Sequence, residues 1–124
     1  RVSFRSGLSR EEVAAEYGKA RVAVVPSLYE GFGLPAVEAM SCGRPLVATT
    51  GGALPEVVGD AGELVPPADA EALAAGMGRL LHNPEYAEEL ARRSRERVEQ
   101  KFTWHCAARS TEGVYRRLLE PETA

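Results

Sequence analysis

Cysteine is scarce in this chain: Cys42 and Cys106 are the only two in 124 residues. They stand far apart and have no Cys-x-x-Cys spacing, which excludes a disulfide scaffold and a cysteine zinc site. Such usage suits buried thiols in a reducing, cytoplasmic compartment. Histidine is equally rare. His82 and His105 have no partner at metal-ligand spacing, so no metal site is expected. Ser/His/Asp, Cys/His and Walker A arrangements are all missing, which removes several common hydrolytic and nucleotide-cleaving chemistries. No apolar run approaches the roughly 18 residues that cross a bilayer. Positive charge is not in excess: 15 Lys and Arg face 18 Asp and Glu, a net charge of −3. That balance argues against a nucleic-acid partner or a polybasic membrane surface. Arg92, Arg93, Arg95 and Arg97 do cluster, but they alternate with Glu88, Glu89, Glu96 and Glu99, the pattern of a solvated helix face. Repeats, low-complexity tracts and long linkers are also absent.

What is present is an ordinary globular composition, 44% apolar and 27% charged, long enough for one domain with a core. The chain opens at Arg1 directly into the alternation Val2-Ser3-Phe4. A strand is expected over 2–5, and such an opening points to a fragment of a longer protein. Ser9 and Glu12 form a capping box for a helix reaching Tyr17 and closed by Gly18. Arg21–Val25 and Leu46–Thr49 read as buried strands, and Glu63–Val65 as a third, stopped by Pro66-Pro67. Between them, helices are expected from Pro35 as first helical residue to Gly43, and around Leu54–Val58. Strand, helix, strand, helix, strand predicts an α/β fold, a Rossmann-like parallel sheet with flanking helices. The rest is helical. Asp69 caps a helix with Leu73, Met77, Leu80 and Leu81 on one face, and Asn83-Pro84 starts a helix with Tyr86, Leu90 and Val98 on another. Thr103 caps a last helix whose stripe runs from Trp104 to Leu118. The expected division is a parallel α/β part over 1–66 and C-terminal helices over 67–124, within one domain.

The chemistry concentrates in two glycine turns at the carboxyl ends of strands, where parallel sheets bind ligands. Glu30 and Glu38 bracket Gly31-Phe32-Gly33-Leu34-Pro35-Ala36-Val37. Gly31 and Gly33 let the backbone approach a ligand. The amides of Phe32, Gly33 and Leu34, at a helix start, can face a diphosphate. Alone, Glu30 reads as a surface loop charge and Glu38 as an acid favoured by the helix dipole. Together they can hold sugar hydroxyls on both sides of the turn, and Glu30 can stabilise positive charge developing at an anomeric carbon. Gly51-Gly52 either touches the same ligand or serves its own turn. Three functions remain open on these grounds: the donor half of a glycosyl-transferring enzyme, a nucleotide- or sugar-sensing module without chemistry, and a structural domain whose turns are only turns.

The stretch Pro26-Ser27-Leu28-Tyr29-Glu30-Gly31-Phe32-Gly33-Leu34-Pro35-Ala36-Val37-Glu38-Ala39-Met40 resembles the signature of the retaining glycosyltransferase family 4, whose members have the GT-B fold. The likeness continues through Gly43-Arg44-Pro45-Leu46-Val47-Ala48, Gly51-Gly52, Pro55-Glu56-Val57-Val58 and Gly62, and covers about residues 1–119. It implies the C-terminal, nucleotide-sugar-binding half of such an enzyme. Glu30 would contact the transferred sugar and serve catalysis, and Glu38 would hold the nucleotide ribose. Gly31, Phe32, Gly33, Leu34, Gly51 and Gly52 would complete the donor site. The donor would be a nucleotide-diphosphate sugar, with no metal and no other cofactor. The family's acceptor-binding N-terminal domain, its diphosphate-binding Arg and Lys, and the first strands of its donor domain have no match here, so this chain alone is expected to be inactive. The unpartnered stripe of the last helix would favour a dimer. The full-length protein would be cytoplasmic or peripheral to the inner face of a membrane.

Overall fold

The central strand of the sheet is buried at every position, because helices cover it from both sides. The computed structural model describes residues 1–119. Its strands are β1 (Ala23–Val25), β2 (Leu46–Thr49) and β3 (Glu63–Val65), all parallel, in the order β1-β2-β3. Val24 pairs with Val47, and Ala48 with Leu64. Helices α1 (Arg10–Lys19), α2 (Leu34–Ser41), α3 (Leu54–Val58), α4 (Ala70–His82), α5 (Pro84–Lys101) and α6 (Trp104–Leu119) complete the order. The parallel α/β class expected from the sequence is the one observed.

Two apolar clusters hold the layers. One joins Val25, Leu46 and Ala48 to Met40 of α2, Leu54 and Val58 of α3, and Val98 of α5. The other joins Val47 and Val65 to Leu80 of α4 and Leu90 of α5. Alternate residues of β2 therefore serve opposite faces, as the period of a strand requires. Burying each such side chain is worth about 1.5–3 kcal/mol.

The local start signals act as read. Ser9 Oγ accepts from the Glu12 amide, and Glu12 Oε2 accepts from the Ser9 amide. Asp69, Asn83 and Thr103 accept from the amides of Ala72, Tyr86 and Cys106.

Several expectations are corrected. Residues 2–5 form no strand; Val2 and Phe4 are 79% and 95% exposed, because alternation without a partner edge leaves backbone groups unpaired. Arg21 and Val22 lie outside β1, and α1 runs through Gly18 to Lys19. Pro35 is the second residue of α2, after Leu34. Cys42 and Cys106 are half-buried rather than buried. The α6 stripe, read from the sequence as lacking a partner, is indeed uncovered: Trp104 is 92% exposed, and Tyr115 and Leu118 are also exposed.

The basic cluster on α5 is only partly a solvated face. Arg92 and Arg93 do pair with Glu89 there, and Arg92 also pairs with Glu96. Arg95, however, donates to the Ser41 carbonyl at the end of α2 at 2.7 Å. Arg97 donates to the Val57 and Glu56 carbonyls of α3, both at 2.7 Å. These cations satisfy the orphan carbonyls of two helix C-termini and oppose their partial negative charge. Ser94, fully buried, donates to the Ala61 carbonyl at 2.6 Å. At the β3 edge, the Arg79 guanidinium donates twice to Glu63 and holds its carboxyl below the usual carboxylate range.

Candidate functional site

Because β1 and β2 are adjacent and parallel, the loop after β1 (26–33) and the turn after β2 (50–53) emerge at one edge of the sheet. They interlock there. Thr49 Oγ1 donates to the Ser27 carbonyl, and the Ala53 amide donates to the Glu30 carbonyl at 2.9 Å. A Cβ on Gly51 would lie 2.5 Å from the Leu28 carbonyl oxygen. Gly52 has φ +63°, and a Cβ there would collide with the Glu30 carbonyl oxygen. The Gly51-Gly52 turn is thus the seat on which the Glu30 loop rests. Its absence of side chains serves a backbone-to-backbone approach.

The Glu30 carboxylate is half-buried, and its Oε1 accepts from Ser27 Oγ at 2.7 Å. This bond orients the side chain at the sheet edge without neutralising it, leaving acceptor capacity for other donors. Beyond Glu30 the chain reaches Gly33, the N-cap of α2, with φ 97° and ψ 50°. The Gly33 carbonyl accepts from Ala36 and Val37, which starts the helix. Among the described residues, the amides of Gly31, Phe32, Gly33 and Leu34 donate to no group of the chain. Four neighbouring donors at a helix start, beside a carboxylate, can bind an anion on one side and hydroxyls on the other.

Glu38 lies one turn inside α2 and is exposed. It lines a cleft of about 290 Å³ between α1 and α2, with Leu8, Arg10, Val13 and Tyr17 on the facing wall. The Tyr17 hydroxyl donates to the Pro35 carbonyl at 3.2 Å. Burial, reinforced by the Glu38 carboxylate, pushes the Tyr17 phenol up. Glu30 is not a wall of that cleft. The structure therefore gathers Glu30, Gly31–Leu34, Gly51 and Gly52 at one edge and sets Glu38 along the helix that begins there.

Other neighbours escape a sequence reading. Phe32, 45% exposed, meets Phe102 edge to face with ring centroids 5.8 Å apart. Arg97, Lys101 and Glu56 line a second cleft with Gly31 and Phe32. No local signal points to these contacts, because the partners lie 70 residues apart. Among the described residues, no group of three His, Cys, Asp or Glu is placed to hold a metal, and no helix is long and apolar enough to cross a membrane.

Comparison with known proteins bears on this arrangement. Residues 1–97 match the family model described as glycosyl transferases group 1. The MMP alpha-(1->4)-mannosyltransferase of Mycolicibacterium hassiacum is 51% identical over 121 residues, 95% of this chain and 29% of that protein. The glycogen synthase of Mycobacterium tuberculosis is 40% identical over 114 residues, 90% of this chain and 28% of that protein. Among solved structures, sucrose-phosphate synthase from Thermosynechococcus elongatus superposes with a TM-score of 0.85 at 44% identity, over 95% of this chain and 30% of that one. The C-terminal domain of a glycosyl transferase group 1 family protein (LpcC) from Francisella tularensis superposes with a TM-score of 0.72 at 30% identity, over 83% of this chain and 53% of that one. The chain thus spans under a third of the length of these two curated relatives.

Proposed function

This chain belongs to the group 1 glycosyl transferases, and from that premise we propose that it is the donor-binding portion of a retaining glycosyltransferase of family 4. The reaction is transfer of a hexosyl group from a nucleotide-diphosphate sugar to an acceptor held outside this chain, with retention at the anomeric carbon. The observation that carries the reading is the run of four unengaged amides from Gly31 to Leu34, next to the oriented Glu30 carboxylate.

Each group has a part. The Gly31–Leu34 amides and the positive end of α2 receive the diphosphate. Glu30 accepts from hydroxyls of the transferred sugar and opposes positive charge as the anomeric bond breaks. Glu38 accepts from the ribose hydroxyls, and the wall formed by Leu8, Val13 and Tyr17 covers the nucleoside. A pyrophosphate separates ribose from hexose in such a donor. The two carboxylates need not share one cleft; they must flank one amide run. Gly51 and Gly52 act by seating the Glu30 loop.

Uridine, guanosine and adenosine diphosphates, tested singly in thermal unfolding, separate this reading from that of a structural domain. One of them is expected to stabilise the chain, by about 2.7 kcal/mol at a hundredfold excess over its Kd. Transfer and donor hydrolysis by the isolated chain are expected to stay at trace level. Absence of stabilisation by all three contradicts the reading.

A further inference from the structure

The amides of Gly31–Leu34 raise a mechanical question. Donors kept for a ligand cannot also be engaged in fixing their own loop, so another contact must hold it. On the near side, the Glu30 carbonyl is tied to Ala53. On the far side, Gly33 rests on the Leu54 side chain. Between them Gly31 has no neighbour that a Cβ would touch, and Phe32 is the first side chain after Glu30 able to grip anything. Its ring and that of Phe102 meet edge to face at an interplanar angle of 83°.

Phe102 is well placed to act as the fixed partner. It is the C-cap of α5, and its amide donates to the Val98 carbonyl at 2.9 Å. Its ring packs against the apolar cluster that contains Val98 and Leu54. The end of α5 is pinned further by Arg97 on α3. We propose that Phe102 is a positioning residue: through Phe32 it sets the backbone of Gly31–Leu34 in the geometry that binds the donor diphosphate. The inference rests on the donor-site reading above. It adds a residue far along the chain that acts through Phe32.

The edge-to-face pair is worth about 0.5–1.5 kcal/mol, or roughly two- to tenfold in an equilibrium constant. Phe102→Leu keeps apolar bulk against the core cluster but removes the ring. It is expected to weaken the best-bound of uridine, guanosine and adenosine diphosphate by about three- to tenfold. Phe102→Tyr should restore the affinity. Phe32→Ala combined with Phe102→Leu should be no worse than Phe32→Ala alone, since both remove one contact. A purely structural role would lower thermal stability yet leave Kd unchanged; that result, or losses that multiply in the double variant, overturns the proposal. A second readout needs no ligand. In amide NMR spectra, Phe102→Leu should shift the Gly31 and Gly33 resonances, and the exposed control Gln100→Ala should not. If the unsubstituted chain binds none of the three nucleotides, the donor-site reading fails and takes the Phe102 proposal with it; if it binds one and Phe102→Leu binds it equally well, the Phe102 proposal alone fails. Unmoved Gly31 and Gly33 signals would refute it.

Discussion

Gly52→Ala is expected to lower the thermal midpoint by about 10 °C and to weaken nucleoside diphosphate binding with it. Two costs add. A side chain at φ +63° carries about 1–2 kcal/mol of backbone strain. The new Cβ also overlaps the Glu30 carbonyl oxygen, which cannot retreat without breaking its bond to the Ala53 amide. Overpacking of this kind costs about 1–3 kcal/mol. A total of about 2–5 kcal/mol, at about 3–5 °C per kcal/mol for a domain of this size, brackets the shift. Relief by moving the loop would drag the Gly31–Leu34 amides that follow Glu30 out of place, so affinity falls even where the chain still folds. Gly18→Ala supplies the control, since Gly18 lies within α1 with open space around it, and alanine there favours the helix. Circular dichroism melts of both variants check this. Equal midpoints for Gly52→Ala and Gly18→Ala would show that the two turns are not mechanically joined.

Glu38→Ala is expected to raise the Kd for the preferred nucleoside diphosphate by about 10- to 100-fold, the value of hydrogen bonds to a charged acceptor. Glu30→Ala should change that Kd by less than about threefold, because the nucleotide alone lacks the sugar that Glu30 contacts; the difference corresponds to at least about 0.6 kcal/mol. Glu38 is exposed and has no hydrogen-bond partner for its carboxylate among the described residues, so its removal costs little stability. Glu30→Ala strands the Ser27 hydroxyl, which water can reach. Isothermal titration of both variants gives the comparison. Equal losses would undo the division of roles between ribose and hexose.

Much of the architecture was legible because it follows local rules. Caps act on an amide three residues away, so Ser9, Asp69, Asn83 and Thr103 could be recognised from sequence alone. The apolar run of β2 announced a strand covered on both faces, and Glu30-x₇-Glu38 stood out through its fixed spacing around a glycine turn. What escaped depends on partners remote in sequence. Residues 2–5 have the alternation of a strand, yet they pair with no strand of the sheet. Arg95 and Arg97 match the charge pattern of a solvated face, while carbonyls of Ser41 and Val57 claim them. Nothing near Ser94 in the sequence announces that its hydroxyl is buried and donates to the Ala61 carbonyl. In the site, the seat under Glu30 and the grip of Phe102 on Phe32 are backbone and ring contacts between separate elements, which no spacing rule encodes.

The most direct measurement is an amide NMR titration of the isotopically labelled chain with its preferred nucleoside diphosphate. The largest shifts are expected on Gly31, Phe32, Gly33 and Leu34, with smaller ones along α2 near Glu38. Shifts centred instead on the opposite end of the sheet, in the cleft beside Arg21 and Arg44, or no shifts at saturating nucleotide, would contradict the donor-site reading.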